Sequence, residues 1–130
     1  MADLLLDTTV LINALRGREA ANRLTAGMRT GQRPPYVCAI NAEELWRGTR
    51  ETEARSVASL LRSLRTAPLG LAEGERAGRW RAQFAAKGVT LSQADCLIAA
   101  AALGVGAQLA TGNPKHFPMT ELDVAHWPAG

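Results

Sequence analysis

The chain has 130 residues, of which 47% are hydrophobic and 21% are charged, and this composition excludes a disordered or collagen-like protein. The length suits one hydrophobic core, so a single domain over residues 1–130 is expected. No apolar run approaches the roughly 20 residues that span a bilayer, and no secretory signal is recognisable, so a cytoplasmic protein with no membrane partner is expected. The net charge is +3 and thirteen of the fifteen basic residues are arginine, which favours an anionic partner, although such a balance is also common in proteins that bind no nucleic acid.

The first predicted element is a buried strand over Leu4–Leu6, followed at once by Asp7 and a short helix over Thr8–Leu15. A short apolar run that ends in polar residues is typical of a parallel strand leading into a helix. Asp7 would then lie at the carboxyl end of the strand, where ligands collect in open α/β sheets. Asp is also a favoured N-cap, so a site residue and a helix cap are both open interpretations here.

Strands and helices continue to alternate along the chain. Apolar spacing and the Gly and Pro breakers predict helices over 19–28, 53–65, 72–87 and 92–104, and strands over 36–40, 67–69, 107–110 and 122–125. This order predicts the α/β fold class, with a small, mostly parallel β-sheet flanked by helices and the last strand at an edge. Cys38 and Cys96 lack metal-ligand spacing in apolar contexts and are expected in the core.

A second acid, Glu44, follows the predicted strand over 36–40. Asn41 is a good N-cap for the helix that runs to Gly48, and Glu44 three positions later completes a capping-box pattern. That interpretation explains Glu44 by structure alone. The same position, however, is a strand-to-helix junction like that of Asp7, so the two interpretations compete for the Glu44 side chain.

A third acid, Asp95, begins a helix that has no polar residue from Cys96 to Leu103. A helix that is apolar nearly all round belongs in the middle of the fold. Asp95 should therefore be partly buried, which costs free energy unless a cation or a hydrogen-bond donor meets it. Ser92 is available as a cap for this helix. A fourth junction of the same kind follows the strand over 107–110, in the turn from Thr111 to Asn113.

The three acids are separated by long stretches that a parallel sheet can fold onto one edge, where Asp7, Glu44 and Asp95 would converge. Carboxylates at close range are stable as anions only with a cation among them. Oxygen ligands without His or Cys select a hard ion, Mg²⁺ or Mn²⁺. Such an ion can activate a water against a phosphodiester. His116 and His126 show no ligand spacing and are expected to bind no metal.

With these motifs in this order, the chain resembles the PIN-domain ribonucleases of the VapC toxin type almost end to end. The resemblance rests on four motifs, which are Leu5-Leu6-Asp7-Thr8-Thr9-Val10-Leu11-Ile12, Glu44-Leu45-Trp46-Arg47-Gly48, Asp95-Cys96-Leu97-Ile98-Ala99-Ala100 and Ala110-Thr111-Gly112-Asn113-Pro114-Lys115-His116-Phe117. It implies a PIN-like fold, Mg²⁺-dependent endoribonuclease activity on RNA, a small cognate antitoxin protein and often a homodimer. It also implies catalytic, metal-binding roles for Asp7, Asp95 and Glu44, with Glu44 rather than Glu43 in register.

One departure from the family pattern lies in the last motif, where many relatives carry a fourth acid and this chain has Asn113. A neutral amide can still orient a water, so Thr111 and Asn113 are candidate water- or substrate-orienting residues. The site would hold three negative charges rather than four, and a second metal ion becomes doubtful.

Two other function classes stay open. A phospho-acceptor signalling domain also gathers acids, Thr and Lys at strand ends, although it normally has an acid pair after the first strand and an acceptor Asp in mid-chain, and neither is found here. A PIN-fold RNA-binding module with weak catalysis is favoured only by the missing fourth acid.

Overall fold

A computed structural model describes residues 2–130 of the chain, and these residues form a parallel β-sheet with helices packed on both faces. The strands are β1 (Leu4–Leu6), β2 (Tyr36–Val37), β3 (Arg65–Thr66), β4 (Gln108–Thr111) and β5 (Val124–His126). The helices are α1 (Thr8–Leu15), α2 (Glu19–Arg29), α3 (Ala39–Arg47), α4 (Ala54–Arg62), α5 (Leu71–Ala85) and α6 (Gln93–Gly104), with short 3-10 turns at Glu51–Glu53 and Pro114–His116. The predicted α/β class is confirmed.

The strand order is β3-β2-β1-β4-β5, and every neighbouring pair is parallel. The chain moves outward from β1 in one direction through β2 and β3, and in the other through β4 and β5. The strand order therefore reverses beside β1, and in open α/β sheets ligands bind outside the carboxyl ends of the strands at such a point. Asp7 follows β1 directly, as the sequence predicted.

The two faces of the sheet bury two separate hydrophobic clusters, because successive side chains along a strand point to opposite faces. Leu5 and Leu109, which are paired in register, face α5 and α6. Leu6 and Ala110, the next pair, face α1 to α4. Helix α6 is buried along most of its length, at Cys96 and at residues 98–102. Its predicted central place is thus confirmed, and Cys38 and Cys96 are buried free thiols.

The boundary between β2 and α3 differs from the prediction. The strand ends at Val37, and Cys38, with extended backbone angles of φ −125° and ψ 175°, is the N-cap of a helix that begins at Ala39. The predicted strand over 36–40 is therefore wrong for its last three residues, and Asn41 is not the N-cap. Asn41 lies in the first helical turn, where its Oδ1 accepts a hydrogen bond from the Cys38 N–H at 2.9 Å.

The edge strands are also displaced from their predicted places. β3 covers Arg65 and Thr66 rather than 67–69, because Arg65 N donates to Pro35 O and Ala67 N to Val37 O, both at 2.8 Å. The preceding helix ends three residues earlier than predicted, at Arg62. β5 begins at Val124 and lies at an edge, as expected. Short edge strands of this kind have too few residues to show a clear alternating pattern.

No helix within residues 2–130 is long and apolar enough to cross a membrane.

Candidate active site

Asp7 is buried at the carboxyl end of the central strand and is held there by three hydrogen bonds. Its Oδ1 accepts from the Thr8 N–H at 2.8 Å, and its Oδ2 accepts from the hydroxyls of Thr9 at 3.0 Å and Thr111 at 2.8 Å. The residue is 5% exposed. Asp7 is thus the N-cap of α1, as one interpretation predicted. This does not exclude a ligand, because a carboxylate offers about four lone pairs and three are used.

The two hydroxyls that hold Asp7 are themselves oriented by the loop after β4. Thr111 Oγ1 accepts from the Asn113 N–H, and Thr9 Oγ1 accepts from the Gly112 N–H, each at 3.0 Å. Since both hydroxyl oxygens receive a backbone proton, each hydroxyl proton is left for Asp7. A Cβ at Gly112 would lie 3.3 Å from Thr9 Oγ1 and 3.4 Å from Trp127 O, so glycine permits this close approach.

Glu44 is tied to the same site through Thr8. The Thr8 hydroxyl donates to Glu44 Oε1 at 2.7 Å and accepts from the Asn41 amide at 3.0 Å. Asn41 is fully buried, and its side-chain oxygen, Oδ1, accepts a hydrogen bond from the Cys38 N–H. The predicted capping box between Asn41 and Glu44 is therefore wrong. The helix begins earlier than predicted, which frees Glu44 to face Thr8.

Asp95 lies in the first turn of α6, and Ser92 is the N-cap of that helix, accepting from the Asp95 N–H at 3.0 Å. The Asp95 side chain is 24% exposed, which confirms the predicted partial burial. Burial is the main cause that raises the pKa of Asp95, and the charge of Asp7 raises it further, while Ser92 and His116 lower it. The two aspartates are thus close enough for the charge of Asp7 to act on Asp95.

The turn after β4 brings Asn113 and His116 to Asp95. Asn113 Nδ2 lies 3.1 Å from His116 Nε2, and His116 Nδ1 lies 3.4 Å from Asp95 Oδ2. Residues three apart in a 3-10 turn lie one above the other, which explains how Asn113 and His116 meet. The structure therefore places Thr111 and Asn113 where the sequence predicted, and adds His116.

A preformed three-ligand metal centre is not found among residues 2–130, where no group of three or more His, Cys, Asp or Glu side chains could hold a metal ion by itself. The donor set nevertheless fits a hard cation. All three acids offer oxygen, and among the bonds within residues 2–130 Asp7 Oδ1 accepts one, from the Thr8 N–H, and Glu44 accepts one, from the Thr8 hydroxyl. Mg²⁺ in proteins commonly binds one or two carboxylates and keeps several waters. The metal-binding roles of Asp7, Glu44 and Asp95 stay predictions.

Sequence reasoning missed four residues of this site, which are Thr8, Thr9, Asn41 and His116. The adjacent threonines after Asp7 were a usable signal, because a hydroxyl one or two residues from a capping acid often bonds locally. Asn41 and His116 gave no such signal, since each bonds to a residue from another part of the chain.

Comparison with known proteins places the chain in a family. The family model for the PIN domain matches residues 4–120. Ribonuclease VapC10 of Mycobacterium tuberculosis is 37% identical over 119 residues, which cover 91% of this chain and 88% of that protein. Ribonuclease VapC19 of the same species is 33% identical over 119 residues, covering 88% of this chain and 92% of that protein.

Solved structures agree with this placement at the level of the fold. DNA-bound VapBC from Salmonella typhimurium superposes with a TM-score of 0.81 at 22% identity, covering 98% of this chain and 99% of that chain. VapBC2 from Rickettsia felis, bound to a DNA fragment from its promoter, gives a TM-score of 0.80 at 23% identity, covering 95% of this chain and 98% of that chain. The chain therefore belongs to the PIN-domain family, and within it to the VapC type.

Proposed function

We propose that this protein is a Mg²⁺-dependent endoribonuclease and the toxin of a VapBC-type toxin–antitoxin system. The observation that carries the proposal is Asp7, a buried carboxylate that is fixed by Thr8, Thr9 and Thr111 and whose charge acts on Asp95. The substrate class is supported by the relatives that are named ribonucleases. The partner is supported by the similar structures that are VapBC complexes.

The residues of the site have different roles in such a reaction. Thr9 and Thr111 hold Asp7 Oδ2, so that Oδ1 keeps a lone pair toward a ligand. Thr8 holds Glu44 through Oε1 and leaves Oε2 available. Asp7, Glu44 and Asp95 would hold Mg²⁺ or Mn²⁺, and the chemistry that the ion supplies is positive charge at the phosphodiester and a more acidic water.

The fixed positions of these acids matter because preorganised charges need no rearrangement when charge develops in the transition state. Asp7 cannot rotate without breaking bonds to two threonine hydroxyls. Asp95 is partly withdrawn from water, which strengthens its attraction for a cation. The RNA would be cut in a single-stranded or loop region, since an A-form duplex hides its bases whereas a loop can be splayed into a site.

A phospho-acceptor role is disfavoured by the same geometry. Such a domain normally has an acid pair after the first strand, whereas Asp7 is followed by Thr8 and Thr9, whose backbone N–H and hydroxyl bond to Asp7. A PIN-fold module with weak catalysis is favoured only by Asn113 in place of a fourth acid, whereas Asp7, Glu44 and Asp95 are all present.

The test is cleavage of total cellular RNA in the presence of Mg²⁺ or Mn²⁺ by wild type, Asp7→Asn, Asp95→Asn and Glu44→Gln. Each change keeps the side-chain shape and removes one negative charge. Each of the three variants should cleave RNA at least about 100-fold more slowly than wild type, because the lost carboxylate supplies several kcal/mol of transition-state stabilisation through the metal ion.

The chain offers a matched control in Glu43→Gln, because Glu43 is exposed and adjacent to Glu44. Glu43→Gln should cleave RNA at the wild-type rate. Chelation of divalent cations should abolish cleavage by wild type and by Glu43→Gln. Equal cleavage by wild type and Asp95→Asn, or cleavage that persists with chelator, would refute the assignment.

The antitoxin would bind an apolar groove between α1, α2 and α4, with a volume of about 230 Å³. Its lining includes Leu15, Leu24 and Leu60, and Met28 at its rim is 67% exposed. An amphipathic helix is the segment that fits such a groove, with apolar side chains at helical spacing.

A homodimer stays a further prediction, and sedimentation analysis of the purified protein tests it.

The groove is tested by co-expression with the small protein encoded directly upstream. Met28→Glu should reduce its co-purification, whereas Val89→Glu, which changes an exposed apolar residue elsewhere, should not. Equal recovery with both variants would place the antitoxin on another surface.

A further inference from the structure

His116 joins two parts of the site that come from different elements. It lies at the end of the 3-10 turn after β4, while Asp95 belongs to the first turn of α6. The imidazole is 55% exposed and has one nitrogen toward each partner, with Nδ1 3.4 Å from Asp95 Oδ2 and Nε2 3.1 Å from Asn113 Nδ2. It is therefore not a core histidine, and packing does not explain where it lies.

The protons on this ring follow from the partner of each nitrogen. An ionised carboxylate only accepts hydrogen bonds, so with Asp95 Oδ2 3.4 Å from Nδ1 the favoured form of the ring carries its proton on Nδ1. In a neutral imidazole the other nitrogen is then an acceptor. Nε2 can accept only if Asn113 presents its amide N–H to it, which is the orientation found. The carboxylate thus decides both the tautomer of His116 and the orientation of the Asn113 amide.

These contacts determine which groups of the Asn113 side chain are left for a ligand. Its Nδ2 donates to His116, and its Oδ1 has no partner within residues 2–130. The Asn113 backbone N–H is also used, in the bond to Thr111. What Asn113 can offer a ligand is therefore its carbonyl oxygen, which binds a water proton, a ribose hydroxyl or a cation, and the second N–H of its amide, which can donate to a phosphate oxygen.

We propose that His116 is a positioning residue, which holds Asp95 in place through its Nδ1–H and fixes the orientation of the Asn113 amide through its Nε2. Its effect on the reaction rests on the proposed ribonuclease function. The bonding scheme itself does not, and this allows the two to be tested separately.

The bonding scheme is tested by the ¹⁵N chemical shifts of the two imidazoles, recorded near pH 8.5, well above the usual imidazole pKa, with a chelator present. His116 should be the Nδ1–H tautomer, whereas free histidine prefers Nε2–H. His126, exposed on β5, is the internal reference. Asp95→Ala and Asn113→Ala should each shift His116 toward Nε2–H. An Nε2–H tautomer in wild type would overturn the proposal. So would an Nδ1–H tautomer that stays the same in both Asp95→Ala and Asn113→Ala.

The positioning role is tested by two substitutions that each keep one contact. His116→Asn places an amide N–H near the position of Nδ1 and keeps the contact with Asp95, whereas His116→Gln places its amide near Nε2 and keeps the contact with Asn113. Loss of a residue that orients a metal ligand typically costs about 10–100-fold in activity. His116→Gln should therefore lose about this much in kcat with little change in KM, and His116→Asn should lose less. His126→Gln is the matched control.

Wild-type kcat in both His116 variants would refute the positioning role even if the tautomer is Nδ1–H. If wild type has no ribonuclease activity, the proposed function fails, while the ¹⁵N shifts still decide whether Asp95, His116 and Asn113 are bonded as described.

Discussion

Three threonine hydroxyls determine how the acids of this site are placed. Thr9 and Thr111 bond to one oxygen of Asp7, and Thr8 bonds to Glu44. Thr8 and Thr9 are adjacent in the chain, so one helical turn serves two carboxylates. Each hydroxyl oxygen also accepts a hydrogen bond from another residue of the site, so its own O–H is directed to the carboxylate.

Thr111→Val should weaken both the fold and the reaction. Valine has the shape of threonine, so the change removes the donor to Asp7 and the acceptor for the Asn113 N–H without opening a cavity. A buried polar group left without a partner costs about 1–3 kcal/mol, and a carboxylate without its orienting partner loses about 10–100-fold in activity. Urea unfolding and cleavage rates measure the two effects.

The control is Thr120→Val, since Thr120 is exposed and its hydroxyl bond to Glu121 is long, at 3.3 Å. That variant should unfold within about 0.5 kcal/mol of wild type. A Thr111→Val protein with the stability and rate of wild type would show that Asp7 does not depend on Thr111.

Asp95→Asn should make the protein more stable at neutral pH while reducing its activity. The pKa of Asp95 is raised in the folded state, mainly by burial, so its contribution to stability is complete below the unfolded-state pKa and is lost as the pH rises through the folded-state pKa. Asparagine does not ionise and escapes this loss. Melting temperatures at pH 7 should be higher for Asp95→Asn by a few degrees at most, and the difference should vanish as the pH falls toward 3.8, the ordinary value for aspartate.

Asp123→Asn serves as the comparison, because Asp123 is exposed on the chain before β5. Its melting temperature should follow that of wild type at each pH. A stability of Asp95→Asn below that of wild type at pH 7 would mean that the Asp95 anion contributes favourable contacts that outweigh its burial.

Sequence reasoning located Asp7 and Asp95 because each has a local signature. Asp7 ends an apolar run, and Asp95 lies in the first turn of a helix that is apolar nearly all round after it. The bond between Thr111 and Asp7 has no local signature, since it joins residues 104 positions apart. It exists only because β1 pairs with β4, with Leu6 opposite Ala110, and a strand partner cannot be read from either strand alone.

At the level of the elements, the start of α3 decides what Glu44 can do. Pattern reasoning preferred Asn41 as the N-cap because Asn and a Glu three residues later form a common capping pair. Here Cys38 is the N-cap, with Asn41 three residues later in the reciprocal role. The run Tyr36 to Ile40 is apolar enough for a strand or for the first turn of a buried helix, and periodicity does not separate the two over so few residues.

Asn41→Ala should destabilise the start of α3. The substitution leaves the buried Cys38 N–H without its acceptor and removes the donor that orients the Thr8 hydroxyl. The expected loss is about 1–3 kcal/mol in the free energy of unfolding, together with reduced cleavage because Glu44 loses its oriented partner. Denaturant unfolding and cleavage rates test this.

Asn22→Ala is the matched change on an exposed helix, where Asn22 makes one long bond, of 3.4 Å, to Glu19. It should leave both quantities nearly unchanged. An Asn41→Ala protein that resembles Asn22→Ala would show that α3 starts correctly without this residue.

For the whole molecule, the net charge of +3 with thirteen arginines predicts that RNA binding depends on salt. Each phosphate neutralised by an arginine releases counterions, so the logarithm of the binding constant should fall linearly with the logarithm of the salt concentration, with a slope of about −0.7 per contact on a single strand. Binding of labelled single-stranded RNA by a catalytically impaired Asp95→Asn protein, measured from low to high salt, gives that slope. A flat response would exclude phosphate contacts as the source of affinity.

The pairing of β1 with β4 also has a consequence for how the toxin is made. Asp7, Glu44 and Asp95 are all synthesised before the strand that supplies Thr111. A nascent chain therefore carries every acid of the site well before it can hold Asp7 in place, and β1 lacks its neighbour on one side until β4 emerges. The order of the elements thus delays assembly of the site until β4 has been synthesised, after the residues that line the groove between α1, α2 and α4.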